Sequence, residues 1–185
     1  HEKIAYGTKN FLKAPAMTKT QAIKAIEAGI ELVNEKVKEG YNVFLVGEMG
    51  IANTTSSAVM TAKFAGITAD EATGRGTNIS DERLKVKQKV VHDALIKYAH
   101  IDKNDGLGIL QSVGGFEFAC ITGVILGAAA QHAMVVIDGF NTTVCALVAH
   151  AIVPESMDYV MASHLSAEKA HVRALKVLGL EAYVD

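Results

Sequence analysis

Short apolar runs that end in small polar residues alternate along this chain with longer stretches of helical spacing. Tyr41 to Val46, Ala133 to Ile137 and Tyr159 to Ala162 have the length of buried strands, and the first two are rich in β-branched residues. Strands that alternate with helices are joined by right-handed crossovers and lie parallel. The expected fold is therefore α/β, a doubly wound, mainly parallel sheet with flanking helices. The loops that follow its strands would gather at one sheet edge, where open α/β sheets collect their ligands.

The helical stretches carry their own punctuation. Thr18 caps a stretch ending at Gly40, in which Ala22, Ile23, Ile26, Ile30, Val33 and Val37 form an apolar stripe. Ser57 to Ala65 reads as a second helix, and Gly66 starts a polar connection. Ser80-Asp81-Glu82-Arg83 opens a third, with acidic first-turn residues that favour the helix dipole, continuing through Ala99. Asp105-Gly106 begins a short helix ending at Val113, and Gly114-Gly115 separates it from Phe116 to Gln131. Thr142 to Ile152 and Ser166 to Leu178 complete the series. No repeat or linker divides the 185 residues, so a single domain is expected.

Composition excludes several classes of partner. A formal net charge of −2 leaves neither a basic stripe for nucleic acid nor an acidic tail, and points to a small-molecule ligand or none. Cys120 and Cys145 lie in apolar surroundings without metal-like spacing and read as buried free thiols of a reducing compartment. The most apolar segments are too short to cross a bilayer and no secretory signal opens the chain, so a cytoplasmic location is the default.

The chemistry-bearing residues sit in the strand-end loops. Glu48 follows a strand directly, beside Met49 and between Gly47 and Gly50, which allow close approach of a ligand. It suits an active-site role, and equally a helix cap or an ion pair with Arg75. Asn53, Thr54 and Thr55 offer donors at a helix start, for ribose, phosphate or capping. The loop lacks the Gly-Lys-Ser/Thr ending of a nucleoside-triphosphatase. Gly74-Arg75-Gly76-Thr77 alone reads as a turn, and Lys87, one of five lysines from Lys85 to Lys103, as a solvated charge. Asp138 ends a strand before Gly139, a position from which α/β enzymes project carboxylates, or forms an Asx turn. Ser166 makes a fair helix cap, with or without a ligand. His164 has no strained serine elbow nearby, so a hydrolase triad is rejected. His92, His100, His132, His150 and His171 have no metal-ligand spacing and read as surface or helix-end residues.

In order, Val46 to Ala58, Gly74-Arg75-Gly76-Thr77, Gly114-Gly115-Phe116-Glu117, Ile137-Asp138-Gly139-Phe140 and Ser163 to Lys169 resemble the nicotinate-nucleotide:dimethylbenzimidazole phosphoribosyltransferase family. Gly7 to Phe11 and Pro15 to Thr18 extend the likeness over nearly the whole chain. The resemblance implies transfer of phosphoribose from nicotinate mononucleotide to 5,6-dimethylbenzimidazole or a related azole base, giving α-ribazole phosphate and nicotinate in cobalamin biosynthesis. It implies a homodimer and no metal or organic cofactor. Gly74 to Thr77 and Lys87 would hold the 5′-phosphate, Asn53, Thr54, Thr55 and Ser166 would face the ribose, and Met49, Gly50, Gly114 and Gly115 would line the substrate pocket. Glu48 and Asp138 would be the carboxylates beside the reacting centre.

Family members are longer, and the glutamate regarded as their general base falls beyond Asp185. The expectation is a single phosphoribosyltransferase core that lacks the family's amino-terminal portion and carboxyl-terminal catalytic segment. A non-catalytic nucleotide-binding or assembly module is the alternative, and an unrelated α/β sugar-phosphate enzyme is a third reading. Ala52 stands where the family usually has glycine, as do Asn78 and Ala170.

Overall fold

A computed structural model describes residues 2–76 and 79–184. The first helix, α1 (Lys19–Lys38), begins at a capping box: Thr18 Oγ1 accepts from the Gln21 N–H, and the Gln21 side chain accepts from the Thr18 N–H. Then follow β1 (Val43–Val46), α2 (Thr54–Ala65), α3 (Ala69–Ala72), α4 (Asp81–Lys97), α5 (Gly106–Val113) and α6 (Phe116–Ala130). The remainder is β2 (Met134–Ile137), α7 (Phe140–Ile152), a 3-10 turn at Pro154–Tyr159, β3 (Val160–His164), α8 (His171–Leu178) and β4 (Ala182–Val184). The helix α3, the 3-10 turn and β4 are too short to leave a periodic pattern.

All strand pairs are parallel, with Val46 beside Ile137 and Ile137 beside Ala162. The α/β sheet with flanking helices is thus as expected. Its order is β1-β2-β3-β4, without a reversal, so among the described residues the chain winds in one direction. Right-handed crossovers advancing one way stack their helices on one face. That face carries buried Val135, Ile137, Val160 and Ala162, while Val43, Leu45 and Met134 on the opposite face are exposed.

The tightest helix pair is α1 against α6. A Cβ on Gly29 would run into the carbonyl oxygen of Cys120, and one on Gly123 into that of Ile26. The two backbones therefore touch, an approach that only glycine permits.

The last helix starts later than its sequence suggests. Residues 166–168 are irregular, 169–170 form a turn, and α8 begins at His171, with Ala170 rather than Ser166 at its N-cap position. The reason is a ring buried where a surface residue was expected. His171 Nδ1 accepts from the Ser166 N–H at 2.9 Å, and Nε2 lies 2.8 Å from Thr143 Oγ1, whose hydroxyl reaches the Gly139 carbonyl at 2.9 Å. This chain of bonds fixes the neutral tautomer with the proton on Nε2 and ties the β3–α8 loop to the β2–α7 loop.

Burial, and secondarily the neighbouring charge of His164, pushes His171 down from 6.5 to about 4. The unfolded chain therefore takes up a proton that the folded chain refuses. The resulting stability is complete above 6.5 and is lost as the pH falls to about 4. Urea denaturation of native protein and His171→Gln should show a shallower loss in the variant across that window. Parallel pH profiles would contradict the buried neutral ring.

Candidate active site

Two parallel strands that share a register must release their following loops at the same sheet edge. Glu48 and Asp138 accordingly stand on one edge, just beyond Val46 and Ile137. Their surroundings differ. Glu48 Oε2 accepts from the Gly50 N–H at 2.6 Å and from Asn53 Nδ2, while Oε1 accepts from Asn141 Nδ2 at 2.7 Å. Asn53 occupies the N-cap position of α2, yet its side chain makes no cap bond because it turns to the carboxylate. Gly50 and Ala52 both have positive φ, +72° and +67°, so the loop curls back on itself at the cost of strain at the alanine.

Asn141 completes this network. It is buried in the first turn of α7, donates to Asn53 Oδ1 at 3.1 Å as well as to Glu48, and accepts from Ser57 Oγ at 2.6 Å. Three donors converge on Glu48 and hold its carboxylate in place. They suit a fixed negative charge that orients the loop.

A second carboxylate approaches from α6. Glu117 Oε1 accepts from Asn53 Nδ2 at 3.3 Å, and a Cβ on Gly115 would collide with the Glu117 carboxylate. Glu48, Glu117, Met49, Asn53 and Ile121 line a depression of about 560 Å³. Gly114 and Gly115 themselves are buried and serve as the break between α5 and α6. Asp138 is exposed, and its Oδ1 lies 3.6 Å from His164 Nδ1. Ser163 donates its hydroxyl to the Asp138 carbonyl at 2.8 Å, so this Ser-His-Asp grouping has no activated nucleophile.

On the other side of the α2 N-terminus, Lys87 Nζ donates to Thr54 Oγ1 at 2.9 Å and to the Gly74 carbonyl at 3.1 Å. Desolvation depresses the Lys87 pKa, and the charge of Glu168 opposes that shift. Arg75 is engaged elsewhere, with Asp81 and the Ile79 carbonyl, and Glu48 has no part in its pairing. A cavity of about 430 Å³ is lined by Gly50, Thr54, Thr55, Arg75, Gly76 and Lys87 among others. Thr77 lies outside the described residues. Ser166 is half-buried in the β3–α8 loop and lines neither cavity.

The structure thus joins Glu48 to Asn53, and Thr54 to Gly74 and Lys87, around one helix start. Asn141 and Glu117 are the additions. Glu117 belongs to the Gly114-Gly115-Phe116-Glu117 motif, whereas nothing around Asn141 in its apolar helix signals a facing carboxylate.

A family model described as phosphoribosyltransferase matches residues 1–185. Nicotinate-nucleotide:dimethylbenzimidazole phosphoribosyltransferases of Dehalococcoides mccartyi (strain BAV1) and Syntrophotalea carbinolica are 43% and 46% identical over 182 and 183 residues. The chain belongs to this phosphoribosyltransferase family. The matches cover 98% and 99% of this chain but 51% of either relative, so it spans about half the length of the curated relatives it matches. The crystal structure of CobT from Thermus thermophilus superposes with a TM-score of 0.92 at 35% identity, over 100% of this chain and 55% of that one.

Proposed function

We propose that the native protein transfers phosphoribose from nicotinate mononucleotide to 5,6-dimethylbenzimidazole or a related azole, giving α-ribazole phosphate and nicotinate. The observation that carries this reading is the convergence of Lys87, Thr54 and the Gly74 carbonyl at the start of α2, next to the Glu48 network. It brings a half-buried cation and a hydroxyl to one side of a strand-end loop and two carboxylates to the other.

In this reading Lys87 and the Gly74–Gly76 turn hold the phosphate, and Thr54 and Thr55 face the ribose. Glu48 and Glu117 present negative charge to the depression beside them, where an electron-poor ring or an azolium would be stabilised. A ring nitrogen of the azole attacks the anomeric carbon opposite the departing nicotinate, so the bond to nicotinate breaks as the new one forms and the β configuration becomes α. Developing positive charge at the anomeric centre is offset by the oriented carboxylates. The proton lost by the azole passes to a base other than Glu48, whose oxygens are already engaged. The reading includes a homodimeric cytoplasmic enzyme that uses no metal or organic cofactor.

The test is to incubate native protein with nicotinate mononucleotide and dimethylbenzimidazole and follow both products by chromatography. Equimolar α-ribazole phosphate and nicotinate are expected. Hydrolysis to nicotinate without ribazole, or no reaction at saturating substrate, would overturn the reading.

A further inference from the structure

The backbone cradle beside Lys87 already holds an anion. Glu168, from the β3–α8 loop, accepts the Gly76 N–H on its Oε1 at 2.7 Å. It packs so closely over Gly74 that any side chain there would strike its carboxylate. Gly76 has φ of +55°, and a Cβ built on it would lie 3.1 Å from Thr54 Oγ1 and 3.6 Å from Lys87 Nζ. A hydroxyl and an ammonium therefore face the same space beside Gly76, and the carboxylate of Glu168 takes the Gly76 amide itself. Arg75 spends its charge on Asp81, and among the described residues Lys87 forms no ion pair.

We propose that Glu168 is the resident anion of the Gly74–Gly76 cradle, and that a substrate phosphate binds by exchanging with it. This rests on the phosphoribosyl reading above. A carboxylate and a phosphate monoester present the same kind of acceptor oxygen to the Gly76 N–H, but two anions cannot share it beside one ammonium. Occupation by Glu168 keeps the cradle formed in the absence of ligand and reduces apparent phosphate affinity by the fraction of time the seat is taken. The loop is built for such a departure. The Ser166 N–H is held by His171, and the Glu168 backbone is held as well, its carbonyl accepting from the His171 N–H at 2.9 Å and its N–H donating to Ser166 Oγ at 3.4 Å, whereas among the described residues its carboxylate is hydrogen-bonded to the Gly76 N–H alone. The Glu168 side chain can thus swing out about its own torsions while its backbone and Ser166 stay in place.

Calorimetric titration of native protein, Glu168→Ala, Glu168→Gln and Lys87→Ala with inorganic phosphate and with nicotinate mononucleotide tests this. Glu168→Ala should tighten binding of both by roughly tenfold, Glu168→Gln by less, and Lys87→Ala should weaken it. Unchanged or weaker binding in both Glu168 variants, with the Lys87 loss intact, overturns the exchange and leaves the phosphoribosyl reading standing. No binding of either ligand to any of the proteins overturns both. A phosphate-soaked crystal of native protein gives an independent readout. Glu168 should have left the Gly76 N–H to a phosphate oxygen, and phosphate bound with Glu168 still in place overturns the exchange.

Discussion

Replacing Lys87 by alanine should weaken nicotinate mononucleotide binding by roughly 10- to 150-fold in the native protein, the loss of one charge-assisted contact to phosphate. Lys87 is the half-buried cation between α4 and the α2 N-terminus, and its removal also strips donors from Thr54 Oγ1 and the Gly74 carbonyl. Binding of free dimethylbenzimidazole, which has no phosphate, should change little. Calorimetry with both ligands separates a phosphate contact from general damage, because collapse of the cavity would lower both affinities together. Equal nucleotide affinity in variant and parent would return Lys87 to the role of a helix-surface charge.

The isosteric exchange Asn141→Asp should be among the most damaging single changes at this edge, costing about 2–4 kcal/mol of stability at pH 7. It converts donors to Glu48 and Asn53 into acceptors and sets a second carboxylate at the 2.7 Å contact with Glu48. Two such carboxylates cannot both ionise freely, so one has its pKa raised in the folded state. The folded variant then holds a proton that the unfolded chain has released. Its deficit relative to the parent should shrink as the pH falls through that raised value towards about 4, where unfolded carboxyls also protonate. Urea denaturation of both proteins at pH 7 and pH 5 measures it. A deficit of the same size at both values would mean that Asn141 and Glu48 do not meet.

These expectations rest on pairings of very different legibility. The strands at Val43–Val46 and Met134–Ile137 could be read because apolar runs bounded by glycine leave few alternatives to a buried strand. Thr18 and Ser80 could be read as helix starts because capping acts over three residues. Lys87 could not be separated from its lysine neighbours by pattern, and only its place after the Gly-Arg-Gly turn in the family marked it. Glu168 meeting Gly76, and Asn141 meeting Glu48, are contacts between segments 92 and 93 residues apart. Nothing local encodes them, since a polar side chain in a helix or loop carries the same signature whether it faces water or a distant carboxylate. The same limit explains the late start of α8. Ser166 has the composition of a cap, but its amide is claimed by a histidine ring held from α7.

The glycine contact between α1 and α6 gives the molecule a stiff member where most proteins have a cushion. Side chains between helices can change rotamer and absorb a disturbance, whereas two backbones in contact cannot. Gly123 lies within the helix whose first turn bears Glu117, so a methyl group added there has no local relief. Its displacement passes along α6 to the carboxylate that faces Asn53. The reach of Glu117 toward Asn53 is in this sense set six residues away, by the absence of an atom.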